Sequence, residues 1–600
     1  MTTTQLWQPH DRPAGGTDED GAEQHRRIPV DLDGPGPALD LEVTSRSEVE
    51  AVITPVGPGV AELRLTPRRT TVIRAAWQLP ATDVVTTWTP SGGHRGLPAF
   101  WHRPRTSSLE KGAPVASLIG TGDRALCTFA VAEGVRPVRI RTGVVEETGE
   151  FACWVEQTAA PDRPLLLRLD LSGRPFADTL AGVAAWWAEH YPAEPAPLAA
   201  RTPVYSTWYA MHQYVSAADV ERQAGPAAEL GCTMIIVDDG WHSTDRNRGY
   251  GYVGEWDPSP AAFPDLTGHV ATVHETGLTY LLWYAIPFVG RKTELWSRVE
   301  PYTLVVREDL DAGVLDPRYP AIRTLIVDRL SRAVTEWGMD GLKIDFVDQF
   351  AVEDPPAAGP EADCADVTEG VDRLLGELHD RFEAAGKQPL IELRQPYVSP
   401  GLWRHATMIR AGDCPLSAVQ NRQSTVDLRL IAGPLAVHAD MLMWHPDEKP
   451  EQVAAQLINV LFSVPQISVD LTRQTPDQLA TLRFWLDFGV ANAEVLQHGR
   501  LTPVRPDLGY PLVIADGDQL RIVGRYAPFP ITAPADRTLL VANADASTAV
   551  ALTAAAPVAA TATVLDCGGR EVSRAEVRIT PGGTMIEVPV GGLLRLEPVS

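Results

Sequence analysis

The run GMDGLKIDFVDQF, residues 338–350, is a short apolar strand with two charges set inside it. Lys343 and Asp345 lie two apart, so on a strand they share one face. A charge in an apolar strand is costly unless it is paired or put to use. Taken alone, the pair fits a structural ion pair at a strand end as well as it fits a site. The segments on either side decide between the two.

Working outward, residues 204 to about 495 alternate between apolar strand-like runs and helical patterns. VYSTWYA, CTMIIVDD, LTYLLWYAI, GLKIDFV, PLIELRQ, ATMIRAG and MLMWHP read as strands, and YPAIRTLIVDRLSRAVTEWG and VTEGVDRLLGELHDRFEAAG as helices. This rhythm over about 290 residues predicts a (β/α)8 TIM barrel at 203–498. A doubly wound open sheet would usually carry a Gly-rich phosphate turn after its first strand, and none occurs here. Residues 28–195 read as short alternating strands and predict an N-terminal β-sandwich domain behind a polar segment, 1–27. A Pro/Ala-rich stretch at about 192–203 marks the boundary. Residues 505–600 return to strands and predict a small C-terminal antiparallel β domain. The fold class is therefore a multidomain chain with a central barrel.

Bulk properties narrow the partners. A formal net charge of −25 argues against nucleic acid and against an anionic membrane surface. Six scattered cysteines without a CxxC spacing suit reduced thiols. The first 27 residues lack an apolar signal core, and no apolar run reaches the length of a membrane span. These features lead us to expect a soluble cytoplasmic protein with no bound cofactor, and they are compatible with a homo-oligomer.

In a barrel, functional groups gather at the C-terminal ends of the strands. Here those ends carry Trp208 and Tyr209; Asp238, Asp239 and Trp241; Trp283; Lys343 and Asp345; Glu392 and Arg394; Arg410 and Asp413; and Trp444 with His445. Each has a scaffold reading: a helix cap for Asp238–Asp239, plain core for Trp283 and Trp444, a surface pair for Arg410 and Asp413. Seven strand ends of the same polar-plus-aromatic character are harder to assign to scaffold. Flat aromatic faces beside fixed charges suit a sugar, whose C–H face stacks on a ring while its hydroxyls bond to the charged groups. Breaking a glycosidic bond needs two carboxyl groups in different protonation states. Lys343 would keep Asp345 ionised, the state a nucleophile requires. Metal chemistry fits less well, because HExxH is absent and His438 and His445 lack a clear third ligand. Cys414 has no evident setting for a reactive thiol. Asp348, Asp427 and Asp440 read as loop or cap residues.

The motifs STWYA, IIVDDGWH, GEWDPSPAAFPDL…ETGLTYLLWYAIP, LDPRYP…WGMDGLKIDF and MIRAGD, in that order over about residues 204–415, resemble glycoside hydrolase family 36. That is the α-galactosidase and raffinose-synthase family, related to family 27. The resemblance implies a retaining mechanism with Asp345 as nucleophile and Asp413 as acid/base. It implies that Asp238 and Asp239 hold the hydroxyls at C4 and C6, that Lys343 reaches those at C3 and C4, and that Arg410 reaches that at C2. Trp208, Tyr209 and Trp283 would wall the sugar subsite. Two features depart from the family pattern. Arg410 stands three residues before Asp413 where the family usually has four, and IELRQPY replaces a Cys-Ser-Gly-Gly type turn after the fifth strand. Family 27 uses a glutamate near there for the 2-hydroxyl, a role Glu392 would take. The expected activity is hydrolysis of terminal α-D-galactosides from a small oligosaccharide or glycoside. The alternatives are transfer to a second sugar, another glycone (N-acetylgalactosamine, glucose or arabinopyranose), or a non-catalytic sugar-binding protein.

Overall fold

The computed structural model describes residues 23–32, 38–90 and 96–599, and its centre is a ring of eight parallel strands. In chain order these are β1 (Val204–Ser206), β2 (Met234–Val237), β3 (Thr279–Ala285), β4 (Gly341–Asp345), β5 (Leu390–Arg394), β6 (Met408–Arg410), β7 (Ala436–His438) and β8 (Gln466–Ile467). Each strand from β1 to β6 pairs with the next, and β8 pairs with β1. The ring closes between β7 and β8 by isolated parallel bridges, His438 to Val464 and Leu442 to Ile467, where a continuous ladder is absent.

Period-two alternation layers the barrel interior. Val204, Met234, Ile236, Leu281, Leu390, Met408, Ala436 and Val464 form a buried apolar plug near the N-terminal ends of the strands. Two residues further along most of these strands the same face turns polar: Ser206, Asp238, Lys343, Glu392, Arg410, His438 and Gln466 are all buried. The floor is hydrophobic and the layer above it is charged. Gly341 opens β4 because β5 runs against it; a Cβ there would sit 2.1 Å from the Leu390 carbonyl oxygen.

The strands expected from the first six apolar runs are present. The seventh run differs: MLMWHP forms no strand beyond an isolated bridge at Leu442, and Trp444 bonds outward through Nε1 to Gln474 Oε1 at 2.8 Å. The last two strands are AVH and QI, three and two residues long, too short to show a period. Trp208 and Tyr209 lie just past β1 in a short helix, Trp208–Met211.

Before the barrel come two six-stranded sheets, which pack around one apolar cluster as a sandwich. Their first strand, Gln24–Val30, starts inside the segment expected to be a polar tail; residues 1–22 of that segment lie outside the described residues. The helix Phe176–His190 links sandwich to barrel, with Trp187 bonding the Val131 carbonyl at 2.9 Å. After the barrel, a seven-stranded and a three-stranded sheet form the C-terminal domain, mostly antiparallel with one parallel pair in each. Its first strand, Arg500–Val504, begins slightly ahead of the expected boundary.

Asp427 ties the three units together. Its buried Oδ1 accepts from Trp88 Nε1 of the sandwich at 2.7 Å and from the Tyr510 hydroxyl of the C-terminal domain at 2.6 Å. The sandwich also supports the loop after β5: Gly112 N–H donates to the Pro396 carbonyl at 2.6 Å, and Gln395 Nε2 to that of Pro90 at 3.3 Å.

Candidate active site

Asp345 ends β4 and is 7% exposed. Its Oδ1 accepts from Arg394 Nε at 2.6 Å and from the backbone N–H of Phe346 at 2.7 Å, and its Oδ2 from Trp283 Nε1 at 3.0 Å. The Tyr397 hydroxyl lies 3.4 Å from Oδ1. Phe346 takes a left-handed conformation (φ 63°, ψ 20°), so the chain turns sharply as it leaves the strand. Burial by itself would raise the Asp345 pKa. Arg394, then Lys343 and Arg410, together with the Trp283 hydrogen bond, outweigh it and hold the carboxyl well below the ordinary range.

This geometry revises the role expected of Lys343. The direct partner of Asp345 is Arg394, from the neighbouring strand. The Lys343 ammonium bonds Asp238 Oδ2 at 2.5 Å and acts on Asp345 only through space. Burial raises the Asp238 pKa, with Lys343 opposing. Asp239 accepts from Gln213 Nε2 at 2.7 Å and lies 3.3 Å from His242 Nε2. Gly240 makes the turn that presents this pair; its φ is 110°, and a Cβ there would meet the Gln213 backbone at 2.7 Å.

Arg410, at the end of β6, is 1% exposed and faces three carboxylates. Its Nη2 bonds Asp413 Oδ1 at 2.8 Å, its Nη1 bonds Asp440, and its Nε stands 3.7 Å from Glu392. The Asp413 side chain is 52% exposed, beyond the barrel mouth. Burial pushes its pKa up, but Arg410 and then Arg394 more than offset that and lower it. Asp440 accepts from the Tyr209 hydroxyl at 2.9 Å and from the Cys414 N–H at 2.7 Å. Tyr209 is thus tied to a carboxylate.

The expected site residues sort by depth. Asp345, Arg394, Trp283, Asp238, Lys343, Arg410 and Asp413 are joined by direct contacts or by the fields they exert on one another. Trp208 is partly exposed, with the Arg248 guanidinium 5.5 Å from its ring centre. Two expected sugar contacts have no exposure in the ligand-free chain. The Trp241 ring has no exposure; it stacks on Trp256 at 6.0 Å and bonds the Trp283 carbonyl, so it backs the site. Glu392 has no exposure either, and accepts from Gln466 Nε2 at 2.5 Å in the charged layer above the apolar plug. From there it reaches Arg410 and His438, not the open end of the barrel.

Several contributors escaped sequence reasoning. Asp440, read there as a loop or cap residue, holds Arg410 and Tyr209. Gln395 positions the loop that carries Asp413 by accepting from the Gly412 N–H at 3.0 Å. Tyr250 covers Trp283 at 6.2 Å and stacks on Phe288 at 5.2 Å. The only signal for Asp440 was its place two residues past His438, which needed β7 to be recognised first. Among the described residues, no three His, Cys, Asp or Glu side chains gather as a metal site. Also among the described residues, no helix is long and apolar enough to cross a membrane.

Comparison with known proteins adds the following. Residues 197–384 match the melibiase family model. Alpha-galactosidase 2 of Pediococcus pentosaceus is 28% identical over 149 residues, 24% of this chain and 21% of that protein. The A type blood alpha-D-galactosamine galactosaminidase of Flavonifractor plautii is 27% identical over 135 residues, 20% of this chain and 12% of that protein. The aligned part is thus a minor share of each curated relative's length. The structural likeness is broader. A variant of the family-36 α-galactosidase AgaA of Geobacillus stearothermophilus, solved with raffinose, superposes with a TM-score of 0.65 at 15% identity, over 96% of this chain and 87% of that one. At that identity the superposition speaks for the fold, over nearly the whole of this chain's sandwich, barrel and C-terminal sheets.

Proposed function

We propose that this chain, which belongs to the α-galactosidase-type glycoside hydrolases grouped around family 36, cleaves terminal α-D-galactosides with retention of configuration. The observation that carries the reading is the contrast between its two carboxylates. Asp345 is buried, fixed by Arg394 and Trp283 and held ionised, as a nucleophile must be. Asp413 is half-exposed at the mouth, where a departing group would leave.

In the first step Asp345 attacks the anomeric carbon while Asp413 donates a proton to the leaving oxygen. In the second, Asp413 takes a proton from water, which displaces Asp345 from the sugar. Such a double displacement suits carboxyl groups about 5–5.5 Å apart. In the ligand-free chain the Arg410 ion pair opposes protonation of Asp413. A bound glycoside whose hydroxyl takes over the Arg410 Nη2 donor frees Asp413 to carry its proton. Asp238, Asp239 and Lys343 supply the polar contacts to the far side of the ring.

The test is chemical rescue. Asp345→Ala abolishes turnover of nitrophenyl α-galactoside, and azide restores part of it with the inverted glycosyl azide as product. Retained wild-type turnover in this variant, or a rescued product of unchanged configuration, defeats the assignment. A parallel screen of nitrophenyl α-N-acetylgalactosaminide, α-glucoside and β-arabinopyranoside tests the glycone, since the contacts around C2, C4 and C6 differ among them.

A further inference from the structure

A polar cavity lies at the opposite end of the barrel from the carboxylates. It encloses about 140 Å3 and is lined by Arg201, Arg429, Ser463, Gln497 and His498 over an apolar back wall that includes Leu435 and Phe462. Arg201 lies three residues before β1, Leu435 immediately precedes β7, and Ser463 lies three residues before β8, so the cavity opens on the N-terminal face of the barrel. Gln497 and His498 come from the turn Glu494–His498, which leads into the first C-terminal strand.

The charges of this cavity are out of balance. Neither arginine has a carboxylate within ion-pair distance among the described residues. Arg201 gives Nε and Nη2 to the carbonyls of Ala196 and Pro434, at 3.3 and 3.2 Å. Arg429 gives Nη2 to the Leu496 carbonyl at 3.4 Å, and its buried Nε has no hydrogen-bond partner. In both side chains Nη1 is left without an acceptor among the described residues. Burial, reinforced by the Arg201 charge, brings the Arg429 pKa down to about 10. Burial and the same two arginines lower His498, with Glu494 opposing. Glu494 is the acidic group whose field reaches both Arg201 and His498, and it points into solvent. Two guanidinium groups set around one cavity with no carboxylate in contact among the described residues, in a chain of net charge −25, form an exception to the molecule's general electrostatics.

We propose that this cavity binds a small tetrahedral oxyanion of the phosphate class. The forked donors of Arg201 and Arg429 match a phosphate group, and the Ser463 and Gln497 side chains add neutral polar groups. The site is independent of the carboxylate pair at the other end of the barrel. Its ligand would join the barrel floor to the segment that leads into the C-terminal domain. The phosphate is either free or carried by a small organic molecule such as a hexose monophosphate, and the cavity accepts the shared head group.

Isothermal titration of the full chain, at fixed pH with ionic strength held by chloride, separates the outcomes. Inorganic phosphate is the first titrant and a hexose monophosphate the second. Saturable binding of one per chain is expected for at least one of them, weakened tenfold or more in Arg429→Gln. Arg201→Gln, at a half-exposed position where folding is less at risk, provides a second variant with the same expected loss. Both variants keep wild-type turnover of an aryl galactoside, because neither residue borders the carboxylates. Tighter binding of the hexose phosphate identifies the organic source, and equal binding identifies the free ion. Absence of saturable binding by either titrant, or unaltered binding in both variants, overturns the proposal.

Discussion

Replacing Arg394 with methionine isolates the electrostatics of the candidate nucleophile. The Arg394–Asp345 contact is 2.6 Å long, between side chains 12% and 9% exposed, so solvent screens it little. An opposite charge this close lowers a carboxyl pKa by about 1–3 units, worth about 1.4–4 kcal/mol. Burial acts on Asp345 in the opposite direction and is the largest single influence on it. Without Arg394 the carboxyl rises toward or above the ordinary range, since Lys343 and Arg410 act only from a distance. Two readouts follow. In the wild-type chain Asp345 stays ionised to very acidic pH, so it sets no acid limb in kcat/KM. In Arg394→Met an acid limb appears at or above the usual carboxylate pKa. Stability responds with a defined sign. The folded chain binds the Asp345 proton more weakly than the unfolded chain does. Its contribution to stability is therefore complete above the unfolded carboxylate pKa and is lost as pH falls through the lower folded value. The variant loses that contribution at neutral pH, and breaking a buried pair costs about 3–5 kcal/mol. Arg394→Lys restores the charge but not the Nε geometry, so it keeps the acid limb low while turnover still drops. The assay is kcat/KM for an aryl α-galactoside from pH 3.5 to 8, with urea unfolding at pH 7 alongside. A pH profile in Arg394→Met that overlays the wild type would refute the view that Arg394 keeps Asp345 ionised.

Asp413→Asn should cut turnover of an alkyl galactoside by about 10²-fold or more, in line with loss of a general acid, and spare a dinitrophenyl galactoside in the first step. Equal losses on both substrates would remove Asp413 from the acid role. Because Arg410 lowers its pKa, activity on the alkyl substrate should also fall as pH rises, more steeply than on the activated one. Gly341→Ala places a methyl 2.1 Å from the Leu390 carbonyl oxygen, so β4 and β5 must part. A stability loss of about 1–3 kcal/mol by urea unfolding is expected, with activity reduced because Asp345 and Arg394 end those two strands. Unchanged stability would show that the barrel yields more easily than its packing indicates.

The barrel was legible because most of its strands are long enough to show where an apolar run turns polar. In MIIVDD and LIELR the change falls two residues past an apolar plug position, and these two strands, with TYLLWYA and GLKID, carry Asp238, Arg394, Trp283 and Asp345. The last two strands escaped because two or three residues carry no period, and the sheet closes there by single bridges. That omission also hid Asp440, whose position past β7 has meaning only once β7 is placed. Depth was the second thing the residue order concealed. Trp241 and Glu392 have the residue types of sugar contacts, but one lies behind Trp283 and the other in the layer beneath Arg410. Sequence spacing reports which face of a strand a residue occupies; it does not report how far that position stands from the mouth.

The pairing of Asp345 follows from register, which joins strands about fifty residues apart in the chain. Lys343 lies opposite Glu392 in the β4–β5 ladder, so the next inward positions, Asp345 and Arg394, become neighbours as well. The same-strand lysine is displaced from the carboxylate by the strand's own rise and turns to Asp238. Arg410 then occupies a position no single strand could reveal, between the buried Glu392 and Asp440 and the exposed Asp413. Two of those carboxylates are fixed in the interior, where an uncompensated charge is costly, so Arg410 cannot leave them. The third is exposed, so its bond to Arg410 is the one that competes with solvent or substrate. The protonation of Asp413 is therefore the step of the proposed cycle that a bound sugar can control, while the ionisation of Asp345 is built into the fold.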